Sequence, residues 1–160
     1  MDASDLQRYV DEHNIEAEIV FLEEETPTVE AAAQAVGVKP AQIVKSVLFV
    51  VKDKEIGAQP QLVVTNGLSR VSYRALAGYL GMSRRRLRMA RAPEVEEMTG
   101  YKVGTVPPFG HKSLLPTVLD ETVPQQEEVY VGGGAINALM RLSVEELQQV
   151  LRADVVDLSK

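Results

Sequence analysis

The 160-residue chain contains no cysteine and no tryptophan, and it has two histidines, His13 and His111. Without Cys there is no disulfide, no thiol nucleophile and no Cys-ligated zinc. Two His are too few for a metal centre built on several imidazoles. Any catalysis must therefore rest on Lys, carboxylates, hydroxyls or backbone groups, and neither a metal nor a cofactor is expected. There is also no run of eighteen apolar residues that could span a bilayer, so no membrane partner is expected. The start, "MDASDLQRYVDEHN", is acidic and polar, unlike a signal or transit peptide, and the chain reads as cytoplasmic.

With 45% hydrophobic and 25% charged residues, the composition is that of an ordinary soluble domain long enough to bury a core. A net charge of −6 argues against a general nucleic-acid binder, and no DNA partner is expected. The charge is unevenly spread, however. Seven Arg and no Asp or Glu fall between Arg70 and Arg91. Such a segment is either a local phosphate-facing surface or a solvated face balanced by neighbours such as Glu94.

Strands and short helices alternate along the whole length. Ser4 to Gln7 reads as a capping box opening a helix that runs to about Asn14. "AEIVFL" (17–22) reads as a strand, and Thr28 as the N-cap of a helix stopped by Gly37. "IVKSVLFVV" (43–51) is apolar and β-branched with almost no alternation, the pattern of a strand covered on both faces. "QLVVT" (61–65), "RLRMA", "PTVLD" and "EVYVGGG" are further strands, and "INALMRL" reads as another. Helices are expected over 72–80 and 93–99, and a second capping box at Ser143 opens one running to about Arg152. The class is α/β, mixed and α+β-like, in one domain over residues 1–160.

Four features stand out as candidates for chemistry. Lys45 lies inside the apolar strand, where an unpaired ammonium is costly, so it either snorkels to water or faces a ligand. Ser46 beside it points to the opposite face of a regular strand. "VGTVPPFGHK" (103–112) combines two Gly, adjacent Pro, Phe109 and His111 in a stretch that can be neither a helix interior nor a central strand. Gly132, Gly133 and Gly134 permit close backbone approach, but they lack the spacing of a dinucleotide fingerprint or a P-loop.

In order, "TVEAAAQAVGV", "IVKSVLFVV", "TGYKVGTVPPFGHK", "VLDETV", "VYVGGG" and "LSVEELQQVL" resemble the YbaK/prolyl-tRNA-synthetase-associated editing family over roughly residues 25 to 155. The resemblance implies a compact α/β domain with a central, partly closed mixed sheet and surrounding short helices. It also implies hydrolysis of the ester joining a wrong amino acid to a tRNA, of the Cys- or Ala-tRNA-Pro type, by a free-standing protein acting in trans. Lys45 matches the family's Lys that holds the terminal adenosine. Gly104 and Pro108 match the loop whose amides face the aminoacyl carbonyl, a loop that continues into Phe109, Gly110 and His111. Gly132, Gly133 and Gly134 fall where the family lines the amino-acid pocket, with Thr28 near another wall and Ser46 beside the Lys.

The nucleophile implied is water, the ribose 2′-OH or a substrate side chain. Thr105 stands where a second Gly is often seen, and Ser46 where some subfamilies carry Asn or Thr, so the amino acid removed stays open. The expected partner is aminoacylated tRNA, with Arg84, Arg85, Arg86 and Arg88 as phosphate contacts and prolyl-tRNA synthetase as a candidate second partner. A non-catalytic module binding a nucleotide or an aminoacylated end is the alternative reading.

Overall fold

The computed structural model describes residues 1–159. Helix α1 (Ala3–Glu12) begins two residues earlier than the Ser4 box would place it, because Asp2 is the N-cap. Its Oδ1 accepts from the Ser4 and Asp5 amides at 2.9 and 3.3 Å, and Asp5 Oδ2 accepts from the Asp2 amide at 2.8 Å. The Ser4 hydroxyl donates to Asp2 instead of capping. A carboxylate satisfies free N–H groups and the helix dipole together, so it wins over the hydroxyl.

Strand β1 (Ala17–Phe21) follows, then α2 (Val29–Val36), capped by Thr28 Oγ1 on the Ala31 amide at 3.0 Å and closed by left-handed Gly37. The long strands β2 (Val44–Asp53) and β3 (Gly57–Asn66) form an antiparallel hairpin with ten paired residues on each side. Strand β3 begins earlier than its apolar core suggests and includes Pro60. The next strand pairs only from Leu62 onward, so the proline's missing N–H costs no ladder bond there. Helix α3 (Tyr73–Leu80), β4 (Leu87–Met89), α4 (Ala92–Thr99), β5 (Thr117–Asp120), β6 (Glu128–Gly132), β7 (Ala138–Ser143), α5 (Val144–Leu151) and β8 (Asp154–Val156) complete the order. Ser143 caps α5 as expected, but the Glu146 carboxylate takes the distant Glu16 amide at 2.7 Å rather than closing a box.

The mixed α/β class holds, and the sheet is in two parts rather than one. Strands run β1-β7-β6, all antiparallel, in one sheet and β4-β2-β3-β5-β8 in the other. The second sheet mixes antiparallel pairs with the parallel β3/β5 and β5/β8 pairs. A single parallel bridge, Ile43 to Tyr130, joins the two, and they do not close into a barrel. Strand β8 has no sequence signature of its own. It is held by its pairing to β5 and by buried Asp120, whose Oδ1 accepts from the Leu158 amide at 2.9 Å.

The double-sided covering of β2 is explained by two cores. Val44 and Leu48 pack with α1, β6 and β7 residues on one face. Phe49 and Val51 pack with Leu76, Ala77 and Leu158 on the other.

The Pro-rich segment is pinned along its length. Thr105 N and Oγ1 both donate to Lys102 O, at 3.0 and 2.8 Å, and the Gly134 amide donates to Thr105 O at 3.0 Å. His111 Nε2 meets Pro107 O at 2.7 Å, and a carbonyl only accepts, so this nitrogen carries the proton. Phe109 packs into the core with its ring 5.9 Å from Tyr9, and Gly110 turns with φ 77° beside the same tyrosine. Gly132 lets the segment lie directly on β6. A Cβ there would sit 2.7 Å from the Val106 carbonyl carbon and closer still to its oxygen.

Gly132→Ala should destabilise the fold by about 3 kcal/mol, because backbone cannot yield as a side chain does. Urea unfolding of the two proteins checks this. Burial holds the His111 imidazole below its ordinary value of 6.5, outweighing the bond to Pro107. The unfolded chain therefore takes up a proton where the folded one resists. The stability that wild type holds over His111→Gln should be full above pH 6.5 and shrink as pH falls below it, read from paired unfolding curves across that window.

Candidate functional site

Strand β4 covers only the far half of β2, pairing with Phe49, Val50 and Val51, and Ala90 N donates to Leu48 O at 2.9 Å as its last contact. The bridge at Ile43 ties the near end of β2 to β6. Between these points the edge of β2 has no strand beside it. A cavity of about 440 Å³ fills this gap between the two sheets. Residues 44–48 line it along β2, facing Met89 and Ala90, Val95 of α4, Gly104 and Val106, and Gly132 with the start of β7. Thr28, Val29 and Ala32 close it from α2.

Strand residues alternate, and the Leu48 carbonyl points at β4, so the Ser46 N–H and C=O point along the same open edge. The Ser46 side chain faces inward, and its Oγ is buried without a hydrogen-bond partner among the described residues. Lys45 is exposed at the cavity and enters none of the ion pairs among the described residues. Met89, Val103 and Ile136 are each more than half exposed and give the opening an apolar rim from three separate segments.

Of the residues singled out in the sequence, Lys45, Ser46, Thr28, Gly104 and Gly132 meet around this one cavity. Pro108, Phe109, Gly110 and His111 are not in its lining; they anchor the segment that presents Gly104 and Val106 to it. Gly133 and Gly134 lie behind the wall, where side chains would run into the Ala138 and Ala3 backbones respectively. The lining from Met89, Ala90, Val95 and Ile136 had no motif to mark it. Its apolar residues look in sequence like any others.

The arginines divide. Arg88 makes a two-pronged pair with Glu94 at 2.7 and 2.8 Å, which holds that carboxyl well below the usual range. Arg86 donates to Lys52 O at 2.7 Å and lies 3.7 Å from Asp53. The Arg84 guanidinium stands 5.0 Å from the Tyr73 ring centroid, and exposed Arg85 has no ion pair among the described residues. Two of the four are thus occupied within the protein. No group of three or more His, Cys, Asp or Glu among the described residues could hold a metal, and no described helix is long and apolar enough to cross a membrane.

The solved structure of a candidate trans-editing enzyme for prolyl tRNA synthetase superposes with a TM-score of 0.88 and 36% identity, covering 99% of this chain and 96% of that one. Hypothetical protein APE2540 superposes with a TM-score of 0.86 at 31% identity over 98% of this chain and 99% of its own. Bacillus subtilis (strain 168) YwhH, an uncharacterized protein, is 28% identical over 93% of this chain and 90% of its own length. A proline–tRNA ligase of Thermoanaerobacter sp. (strain X514) is 30% identical over 66% of this chain, which spans only 18% of that ligase. The model of the aminoacyl-tRNA editing domain matches residues 23–150, which takes in the cavity, the Lys45 strand and the Pro-rich segment. The chain belongs to the aminoacyl-tRNA editing domain family.

Proposed function

We propose that this protein is an aminoacyl-tRNA deacylase acting in trans on a mischarged tRNA-Pro, with Cys or Ala as the amino acid removed. The observation that carries this reading is the meeting of Lys45, Ser46 and the Gly104 segment around one cavity in a chain of the editing family. In the reaction, water adds to the ester carbonyl, the bond to the terminal ribose oxygen breaks, and a free amino acid and a ribose hydroxyl result. Where the vicinal 2′-OH or a substrate thiol adds first, the acyl group passes to that oxygen or sulfur as the original ester bond breaks, and water then hydrolyses the new ester or thioester.

The protein contributes position and charge. Lys45 at the cavity, in no ion pair among the described residues, is available to a phosphate of the terminal nucleotides. Thr105 N–H is taken by Lys102 O, and Pro107 and Pro108 have none, so the amides of Gly104 and Val106, both lining the cavity, are the donors offered to the carbonyl oxygen as it becomes an oxyanion. No side chain in the lining is a thiol or an imidazole, in keeping with a nucleophile drawn from solvent or substrate. The apolar walls admit a small side chain and exclude a larger one by overlap, a second sieve after synthesis.

The acceptor stem would be held by guanidinium groups not already paired inside the protein. These are Arg84 and Arg85, with exposed Arg70 and Arg74 near them in sequence around Tyr73. Arg86 and Arg88 serve the fold first.

Lys45→Ala should lower kcat/KM by about 100-fold on a mischarged tRNA-Pro, measured by multiple-turnover release of Cys, Ala, Ser or Pro from the charged tRNA. Equal rates for wild type, mutant and buffer on all four would sink the deacylase reading and leave a binding module. Reversing Arg84 and Arg85 to Glu should weaken tRNA binding and flatten its salt dependence, the slope falling by roughly one for each phosphate no longer neutralised. Removing Arg88 should chiefly lower stability. A salt slope unmoved by the first pair would make that patch a solvated face.

A further inference from the structure

Ser46 Oγ is the buried side-chain polar atom that has no hydrogen bond among the described residues. Other buried polar side chains are committed to the fold. Gln61 reaches Leu62 O and Pro116 O, Asn66 ties Ser69 to Thr122, Thr99 bonds Val95 O, and Asp120 holds the Leu158 amide. A hydroxyl taken from water with nothing in return is disfavoured, so native proteins keep very few, and those few invite an explanation.

Its position supplies one. By the two-residue period of β2, Ser46 shares the inward face with Val44 and Leu48, both part of the core. All three line the cavity, opposite Val95, Val106 and Ala138. The hydroxyl is therefore the polar side chain set among Val44, Leu48, Val95, Val106 and Ala138, with Glu25, Thr26, Thr28 and Lys45 elsewhere in the lining. It lies on the face opposite to Lys45, away from where a phosphate would sit. On the reading that Lys45 meets a phosphate, the group entering this part of the cavity is the substrate's side chain rather than its ribose.

We propose that Ser46 is a specificity-determining residue whose hydroxyl selects a small side chain ending in a hydroxyl or thiol over a methyl of similar size. This rests on the reading that the cavity takes the aminoacyl end of a tRNA. A hydroxymethyl or thiomethyl group exchanges its hydrogen bond to water for one to Ser46 Oγ, and the serine gains the partner it lacks. A methyl leaves that atom unpaired in a drier site. The sieve is then polar as well as steric, and it favours Cys over Ala.

The test uses analogues that cannot be hydrolysed: 3′-amino-3′-deoxyadenosine carrying Ser, Cys or Ala through an amide, titrated calorimetrically into wild type and Ser46→Ala. Wild type should bind the seryl or cysteinyl analogue about tenfold more tightly than the alanyl one. Ser46→Ala should bring the three within about twofold, while its melting temperature stays equal to or above that of wild type, because no internal hydrogen bond is removed. Equal affinities in wild type, a preference that survives in Ser46→Ala, no binding of any analogue, or a melting temperature several degrees lower in the mutant would each overturn the inference. Turnover on the ester-linked tRNAs is judged separately. Selective binding without turnover sinks the deacylase reading and leaves the role of Ser46 standing.

Discussion

Everything at the site depends on one strand that serves two sheets. Strand β2 gives one edge wholly to β3, but shares the other between β4 at its far end and the β6 bridge at its near end. The stretch between those contacts is left without a neighbour. Unpaired backbone on a buried strand is normally covered, because each missing ladder bond is costly. Here the uncovered length is the floor of a cavity. Lys45 and Ser46 are placed in that gap, one at its exposed side and one within.

The Pro-rich segment is rigid for a related reason. The carbonyl clamp proposed for it is made of backbone amides, so its accuracy is that of the chain path. That path is set by Gly132, where two backbones touch, by Gly134 donating to Thr105, and by His111 holding Pro107. Phe109 roots the segment in the core against α1. The glycine cluster and the Pro-rich segment are distant in sequence and act as one piece. The close approach that the glycines allow is largely of the protein to itself.

Charge is distributed with the same division between fold and site. Glu94 draws Arg88 and Arg91 together at the start of α4, and Asp53 lies beside Arg86 at the hairpin end. The Arg86–Asp53 and Arg91–Glu94 pairs are screened by solvent and contribute modestly to stability, the half-buried two-pronged Arg88–Glu94 pair contributes more, and all withdraw guanidinium groups from any ligand. Lys45 has no such partner among the described residues, although the chain carries more acidic than basic side chains. An unneutralised cation at a cavity mouth on an acidic protein is a local attraction for an anion against the global field.

Much of this was legible from residue order alone. Local chemistry decided the caps at Thr28 and Ser143, the glycine stops, and the apolar run that forms β2, because each depends on neighbours within a few positions. Lys45 stood out for the same reason, as a charge in an apolar run. What the sequence could not decide was set by contacts between distant segments. The sheet divides in two where β4 ends and β6 begins. Strand β8 exists through its pairing with β5 and the grip of Asp120 on Leu158. Arg86 and Arg88 are claimed by carboxylates at the hairpin end and on α4 rather than left to solvent. Above all, whether Ser46 would find a hydrogen bond was a question only tertiary packing could answer, because its partners would have had to come from elements far away in the chain, and among the described residues none did.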